Sequence, residues 1–280
     1  IFRLDAIAYL WKENGSTCIN QTNTHNIIKF IRLVCNLLKT ECIIITETNL
    51  PEKENLSYFG NNDEANWVYN FSLAPILVYS LLFEDSNKIT KWSKNFPIAK
   101  LNNNYLNFIA SHDGIGMRPI EGILSTNTQK KFLSRLKKNG GEFSYRKVQG
   151  VRKKVYEANI TLFNAFKYSD FDKSGIFGFE RYMAAHTIMI SFDGIPAIYF
   201  NSMFGNSNDN SKYIISGNKR DLNRYRWNKD KIEDHLKDQN SKQNKYYKNM
   251  SNILAIRSKQ KAFHPNAIRK TLKLGSNFFG

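Results

Sequence analysis

Three apolar stretches of this chain each end on a carboxylate, and that repeated arrangement restricts the folds open to it more than any other feature. In Phe2, Arg3, Leu4, Asp5 the apolar and charged residues alternate, so a strand puts Phe2 and Leu4 on one face and Arg3 and Asp5 on the other. A helical segment, Ala6 to Trp11, is expected next. Cys42 to Thr46 is a β-branched run that fits a strand buried on both faces, and it ends on Glu47. Tyr105 to Ala110 is a third such run, ending on Ser111, His112 and Asp113 before Gly114. An Arg and an Asp at one strand end can be an ordinary surface ion pair. Three acidic strand ends in a chain of βα pattern converge on one mouth in a parallel α/β barrel, where functional side chains sit at the carboxyl ends of the strands.

The segments between these strands keep the βα rhythm. A helix is expected from His25 to Leu38, with Thr24 as N-cap and Ile27, Ile28, Ile31, Val34, Cys35 and Leu38 on its apolar face. Thr48 to Asn66 reads as a long polar loop, Trp67 to Phe71 as a strand, and Ala74 to Leu82 as a helix with Pro75 in its first turn. A short helix around Thr90 to Ser93 precedes the strand that leads to Asp113. From Gly114 to Lys173 the rhythm breaks, with a helix near Thr128 to Lys138 and turns at Gly140 and Gly141, as expected of an excursion lying over the mouth. Helical period returns over Gly178 to Phe192 and leads into Ile195 to Phe200, expected as the last barrel strand. Met203 to Trp227 reads as a polar loop, Tyr246 to Lys259 as the final helix, and residues from Thr271 onward as the start of a β domain.

Bulk properties narrow the function classes. The chain has 280 residues, enough for a large core, and carries 41 Lys and Arg against 24 Asp and Glu, a formal charge of +17. Such a charge raises nucleic acid as a partner, but the basic residues are scattered along the whole length among abundant Asn and Ile, which argues against it. A basic surface still attracts an anionic substrate. Cys18, Cys35 and Cys42 have neither metal-ligand nor disulfide-framework spacing, so reduced, buried, cytoplasmic thiols are expected. There is no initiator Met, no basic and apolar leader and no apolar run of membrane-spanning length, which predicts a soluble, cytoplasmic protein with no membrane partner, present here as a fragment lacking its beginning.

The stretches FRLDAIAYL, ITETN and ASHDGIG resemble, in order, three conserved regions of the α-amylase superfamily, glycoside hydrolase family 13. Within it LWKENGSTC, VYNFSLAPIL, ASHDGIGMRP, GIPAIYF and GNKRDLNRYRW are similar to the sucrose phosphorylase group, with Trp11 and Ala110 to Pro119 inclining toward members acting on glucosylglycerate or sucrose 6'-phosphate. The resemblance implies an α/β fold, a (β/α)8 TIM barrel represented by its strands 4 to 8, with an inserted excursion after strand 7 and the start of a C-terminal β domain. The implied divisions are 1–113 for barrel strands 4 to 7, 114–173 for the inserted subdomain, 174–265 for helix 7, strand 8 and helix 8, and 266–280 for the C-terminal start.

What the resemblance implies about chemistry is specific. Asp5 is expected as the nucleophile, Glu47 as the general acid/base and Asp113 as the transition-state stabiliser, with Arg3 holding the nucleophile ionised and His112 binding a sugar hydroxyl. A retaining reaction needs two carboxyl groups about 5 Å apart, one attacking the anomeric carbon while the other protonates the leaving oxygen. A cation beside Asp5 favours its ionised form, and a less compensated Glu47 keeps its proton. Phosphorolysis replaces water with phosphate in the second step, so inorganic phosphate is expected as co-substrate and no metal or organic cofactor is needed. Arg220 and Arg224 are candidate acceptor-side or sugar contacts, since guanidinium binds phosphate oxygens in a fork; a solvated basic loop explains them as well. Tyr156, Glu157 and Asn159 resemble a family segment near the site, and a purely structural role suits them equally. The family's first conserved region has no counterpart, so the chain by itself is expected to be inactive and its outer strand edges aggregation-prone. The expected function is therefore transfer of glucose from sucrose, sucrose 6'-phosphate or glucosylglycerate to phosphate, giving α-glucose 1-phosphate, by a protein that could form a homodimer. An α-glucoside hydrolase or transglucosidase with the same triad, and an inactive remnant, are the alternatives.

Overall fold

The computed structural model describes residues 1–38, 41–148 and 151–280, without the side chains of residues 151 and 152. In chain order the strands are β1 (Phe2–Leu4), β2 (Ile44–Thr46), β3 (Trp67–Asn70), β4 (Asn104–Asn107), β5 (Ile115–Gly116), β6 (Glu142–Val148), β7 (Val151–Asn159) and β8 (Ile195–Pro196). The helices are α1 (Thr22–Leu37), α2 (Glu52–Leu56), α3 (Leu73–Phe83), α4 (Asn87–Asn95), α5 (Thr126–Lys138), α6 (Leu162–Lys167), α7 (Gly178–Ser191), α8 (Asn210–Ser216), α9 (Lys229–Lys237) and α10 (Lys242–Ser258).

Among the described residues β1, β2, β3, β4 and β8 form one parallel sheet in that order, and β5, β7 and β6 form a separate antiparallel one. Parallel neighbours require crossover connections, which α1 to α4 and α7 supply. The register aligns Leu4 with Thr46, Thr46 with Val68, Asn70 with Asn107, and Asn107 with Pro196, so the carboxyl ends of all five strands lie along one rim. This is a partial barrel, and the expected order of strands along it is observed. No helix among the described residues is long and apolar enough to cross a membrane.

The core follows from the composition of the helices. α3 is apolar on every side, and Leu73 to Ser80 and Leu82 are buried, because it packs among α4, α6, α7 and β5. α1 is different. Only Thr24 and Ile28 are buried, while Phe30, Leu33, Leu37 and Leu38 are more than half exposed. Of the expected apolar face, Ile28 is buried, Ile27, Ile31 and Cys35 are half-buried, and only Val34 and Leu38 are exposed; Thr24 does not cap the helix, and its hydroxyl accepts the Trp11 N–H at 3.2 Å.

Several elements depart from the sequence expectation for local reasons. Ala6 adopts a left-handed conformation, so only a single 3-10 turn, Ile7–Tyr9, follows β1. The expected loop Thr48 to Asn66 contains α2 and a 3-10 turn, Ser57–Phe59, and the expected loop Met203 to Trp227 contains α8 and a 3-10 turn, Lys219–Asn223. Caps account for the second pair: Asp209 and Asn218 each accept a backbone N–H at the start of α8 and of the 219–223 turn, as Asn228 and Ser241 do for α9 and α10, a signal easily hidden in an Asn-rich sequence. Beyond Thr271 the chain makes an isolated bridge between Lys273 and Phe279. The three cysteines are half-buried rather than buried.

Asp172 closes the excursion. Burial pushes its carboxyl up, but Arg181 and the N–H groups of Phe177 and Ile176 outweigh it and hold it at about 2. At the entry to β8, Gly194 has φ +117, and a Cβ there would lie 2.5 Å from the Tyr105 carbonyl oxygen. Gly194→Ala is accordingly expected to destabilise the fold by about 1–3 kcal/mol. Urea unfolding checks this through a lower midpoint at unchanged slope.

Candidate active site

The three acidic strand ends meet at the rim. At the end of β1 the Arg3 guanidinium pairs with Asp5 through Nη1 and donates through Nε to the Tyr69 hydroxyl at 3.0 Å. Tyr69 comes from β3, and Arg3 also lies 5.5 Å from its ring centroid, so two strands orient the cation beside Asp5. The Asp5 side chain is 70% exposed.

Glu47 reaches back to the same strand end. Its Oε2 accepts the Ala6 N–H at 2.9 Å, and its own N–H donates to Leu4 O at 3.0 Å. The left-handed turn at Ala6 thus aims an amide at Glu47 directly after Asp5. Burial pushes the Glu47 carboxyl above its ordinary range; the Ala6 amide and Arg3 oppose this, while Asp5 and Asp113 add to it. Arg3, Asp5 and Asp113 therefore all act on Glu47.

Asp113 is the most heavily compensated of the three. Its Oδ1 receives Arg220 Nη1 at 2.8 Å and Arg224 Nη2 at 3.1 Å, and His112 Nε2 lies 3.7 Å from Oδ2. Arg224 Nε donates to His112 O at 2.7 Å, and Asn223 Nδ2 donates to Asp113 O at 2.8 Å and Ser111 O at 3.3 Å. The turn 219–224 therefore grips the loop after β4 with three side chains.

Arg3, Glu47, His112, Asp113, Tyr156, Glu157 and Arg220 line one cleft. Tyr69, Phe71 and Phe108 form its aromatic wall, with ring centroids 5.2–5.6 Å apart. Such a wall suits the apolar face of a sugar ring, and the charged rim suits its hydroxyls. Among the described residues no group of three or more His, Cys, Asp or Glu could hold a metal ion.

Of the residues singled out in the sequence, Asn159 is placed elsewhere. It is fully buried in the antiparallel sheet, where its carboxamide donates to Ser144 Oγ at 3.1 Å and Glu142 O at 3.5 Å, so it holds β6 against β7. Arg224 does not line the cleft; it reaches the loop that does through Asp113 and the His112 carbonyl oxygen. Glu157 reaches the wall with both carboxylate oxygens occupied, by Gly114 N–H and by Arg220 Nε. Sequence reasoning missed Asn49, Tyr69 and Asn223. Asn49 stands in the quoted ITETN stretch and lies against the Tyr156 hydroxyl. Asn223 stands between the two arginines that were identified.

No family model matches the chain. Among solved structures it superimposes on sucrose 6F-phosphate phosphorylase from Thermoanaerobacter thermosaccharolyticum with a TM-score of 0.76 and 20% identity, over 93% of this chain and 49% of that one. It also superimposes on an α-amylase from H. orenii with a TM-score of 0.53 and 12% identity, over 99% and 47%. The fold is that of the (β/α)8 barrels of the α-amylase superfamily. In sequence it is 35% identical to a glucosylglycerate phosphorylase from Allomeiothermus silvanus over 97% of this chain and 49% of that protein. It is 34% identical to another from Escherichia coli over 94% and 47%. Within that superfamily the chain belongs to the glucosylglycerate and sucrose phosphorylase group of glycoside hydrolase family 13. It spans about half the length of the curated relatives it matches.

The raised Glu47 pKa carries a consequence for stability. A carboxyl that binds its proton more tightly folded than unfolded favours the fold at low pH and costs stability as pH rises through the unfolded value toward the folded one. Glu47→Gln removes that cost. It is expected to raise the thermal unfolding midpoint relative to the parent protein at about pH 8 and not at about pH 3.5, in paired melts across that range.

Proposed function

We propose that this chain carries the catalytic half-barrel of a retaining glycosyl phosphorylase that transfers glucose from a small glucoside to inorganic phosphate. The observation that supports this best is the unequal compensation of three carboxyl groups around one cleft: Asp5 beside Arg3, Asp113 beside Arg220 and Arg224, and Glu47 buried with a raised pKa. In this reading Asp5 attacks the anomeric carbon while Glu47 gives its proton to the departing oxygen, leaving a glucosyl ester on Asp5. A phosphate oxygen then attacks the same carbon, Glu47 takes the proton from phosphate, and Asp5 is released as α-glucose 1-phosphate leaves. Asp113 and His112 bind sugar hydroxyls more tightly as the ring flattens toward the oxocarbenium ion. Arg220 and Arg224 bring positive charge to the acceptor side, as an anionic co-substrate needs.

Glucosylglycerate is the favoured donor, because relatives bearing that name are 34–35% identical to this chain, against 24% for a sucrose phosphorylase from Bifidobacterium adolescentis. No cofactor enters the mechanism, and a cytoplasmic location suits both a phosphorylated product and three unbridged thiols.

The protein expressed from its complete reading frame is expected to release glucose 1-phosphate from glucosylglycerate only when phosphate is present, with sucrose and sucrose 6'-phosphate as comparison donors. Free glucose regardless of phosphate would favour a hydrolase, and a folded protein that turns over none of the donors would favour a remnant. Asp5→Ala is expected to abolish turnover, and Glu47→Gln to lower kcat by about 10²–10⁴-fold on donors with poor leaving groups.

A further inference from the structure

Glu157 lines the cleft, yet its carboxylate is spent inside the protein. Its side chain is 3% exposed, Oε1 accepts the Gly114 N–H, and Oε2 accepts Arg220 Nε at 3.1 Å. The backbone leaves it little choice. Gly116 pairs with Glu157 and Ile115 with Ala158 in the antiparallel sheet, so the loop bearing Asp113 lies flush on β7. A Cβ on Gly114 would meet the Ala158 carbonyl oxygen at 2.5 Å and Glu157 Cγ at 2.7 Å. Arg220 is the shared element: Nε is held by Glu157, and Nη1 is thereby presented to Asp113 at 2.8 Å. Two carboxylates, Asp113 and Glu157, then face two guanidinium groups, Arg220 and Arg224, and the cluster is balanced.

We propose that Glu157 is a positioning residue: it sets the orientation of Arg220, and through Arg220 the charge felt by Asp113, rather than binding substrate itself. The assignment rests on the phosphorylase reading for its kinetic consequences. Without the Glu157 charge, Arg220 is free to turn wholly to Asp113 or to an incoming anion. The transition state then loses a correctly held carboxylate while phosphate gains an uncompensated cation.

Glu157→Gln separates the two contacts. Glutamine keeps an oxygen for the Gly114 N–H but turns an amide donor against Arg220 Nε. In the protein from its complete reading frame this variant is expected to lower kcat by about 10–100-fold, to lower the phosphate KM by about threefold, and to leave the donor KM within about twofold. In an Arg220→Ala background the same change is expected to cost nothing further. A loss carried mainly by the donor KM, or one that multiplies fully with Arg220→Ala, would overturn the assignment in favour of direct sugar binding. Hydrogen exchange reads the clamp without turnover. Faster exchange of segment 111–116 in Glu157→Ala, but not in Glu157→Gln, supports it, and unchanged exchange in Glu157→Ala overturns it. Absence of phosphate-dependent turnover in the parent protein would count against the phosphorylase reading alone, leaving the exchange result to decide the clamp.

Discussion

Three carboxyl groups around one cleft cannot all be ionised without compensation, and the rest of the site is arranged around that constraint. Two unit charges 4 Å apart interact by about 4 kcal/mol at the effective dielectric of a protein surface, several times the worth of an exposed ion pair. The structure meets the problem by dividing the cations unequally. Asp5 is paired with Arg3 and Asp113 with Arg220 and Arg224, while Glu47 is buried and is opposed only by the Ala6 amide and the more distant charge of Arg3. Burial raises the Glu47 carboxyl above its ordinary range, while Asp5 and Asp113 each lie against a guanidinium, an unequal arrangement of the kind that acid/base and nucleophilic roles require.

That division depends on distant parts of the chain. The parallel sheet delivers the acids along one rim, but the cations that balance Asp113 come from the turn 219–224, more than a hundred residues later. The antiparallel excursion contributes the counterweight, since β7 pairs with β5 beside the Asp113 loop and brings Tyr156 and Glu157 to the cleft. α3 packs against β5 of this excursion and shares one apolar cluster with Tyr105 of β4 and Ala158 of β7, which ties the core to the site.

Much of this was legible because parallel strands announce themselves locally. Cys42 to Thr46 and Tyr105 to Ala110 read as buried strands, and their order along the sheet followed from the βα rhythm. The short helices of 52–56 and 210–216 did not, because each is set by a cap or a proline rather than by apolar period. At the site, strand ends gave Asp5, Glu47 and Asp113 from sequence alone. Partners chosen by tertiary pairing were harder: Tyr69 looks like any strand tyrosine until Arg3 is seen against it, and Asn159 stands two residues from Glu157 yet faces the sheet interior. The β6 to β7 register holds between Glu157 and Asn159, so what separates them is their partners: Asn159 is taken up by Ser144 and Glu142 within the sheet, and Glu157 by Gly114 and Arg220 at the cleft.

The central claim is that Asp5 forms the covalent bond while Glu47 handles the proton. Its most direct measurement is to incubate the Glu47→Gln variant of the complete protein with an α-glucosyl fluoride, a donor that leaves without acid assistance, in the absence of phosphate, and to locate any glucosyl adduct by peptide mass analysis. The account predicts one adduct, on the peptide carrying Asp5, discharged as glucose 1-phosphate when phosphate is added. An adduct on another carboxylate, or glucose release with no adduct at any time, would contradict it.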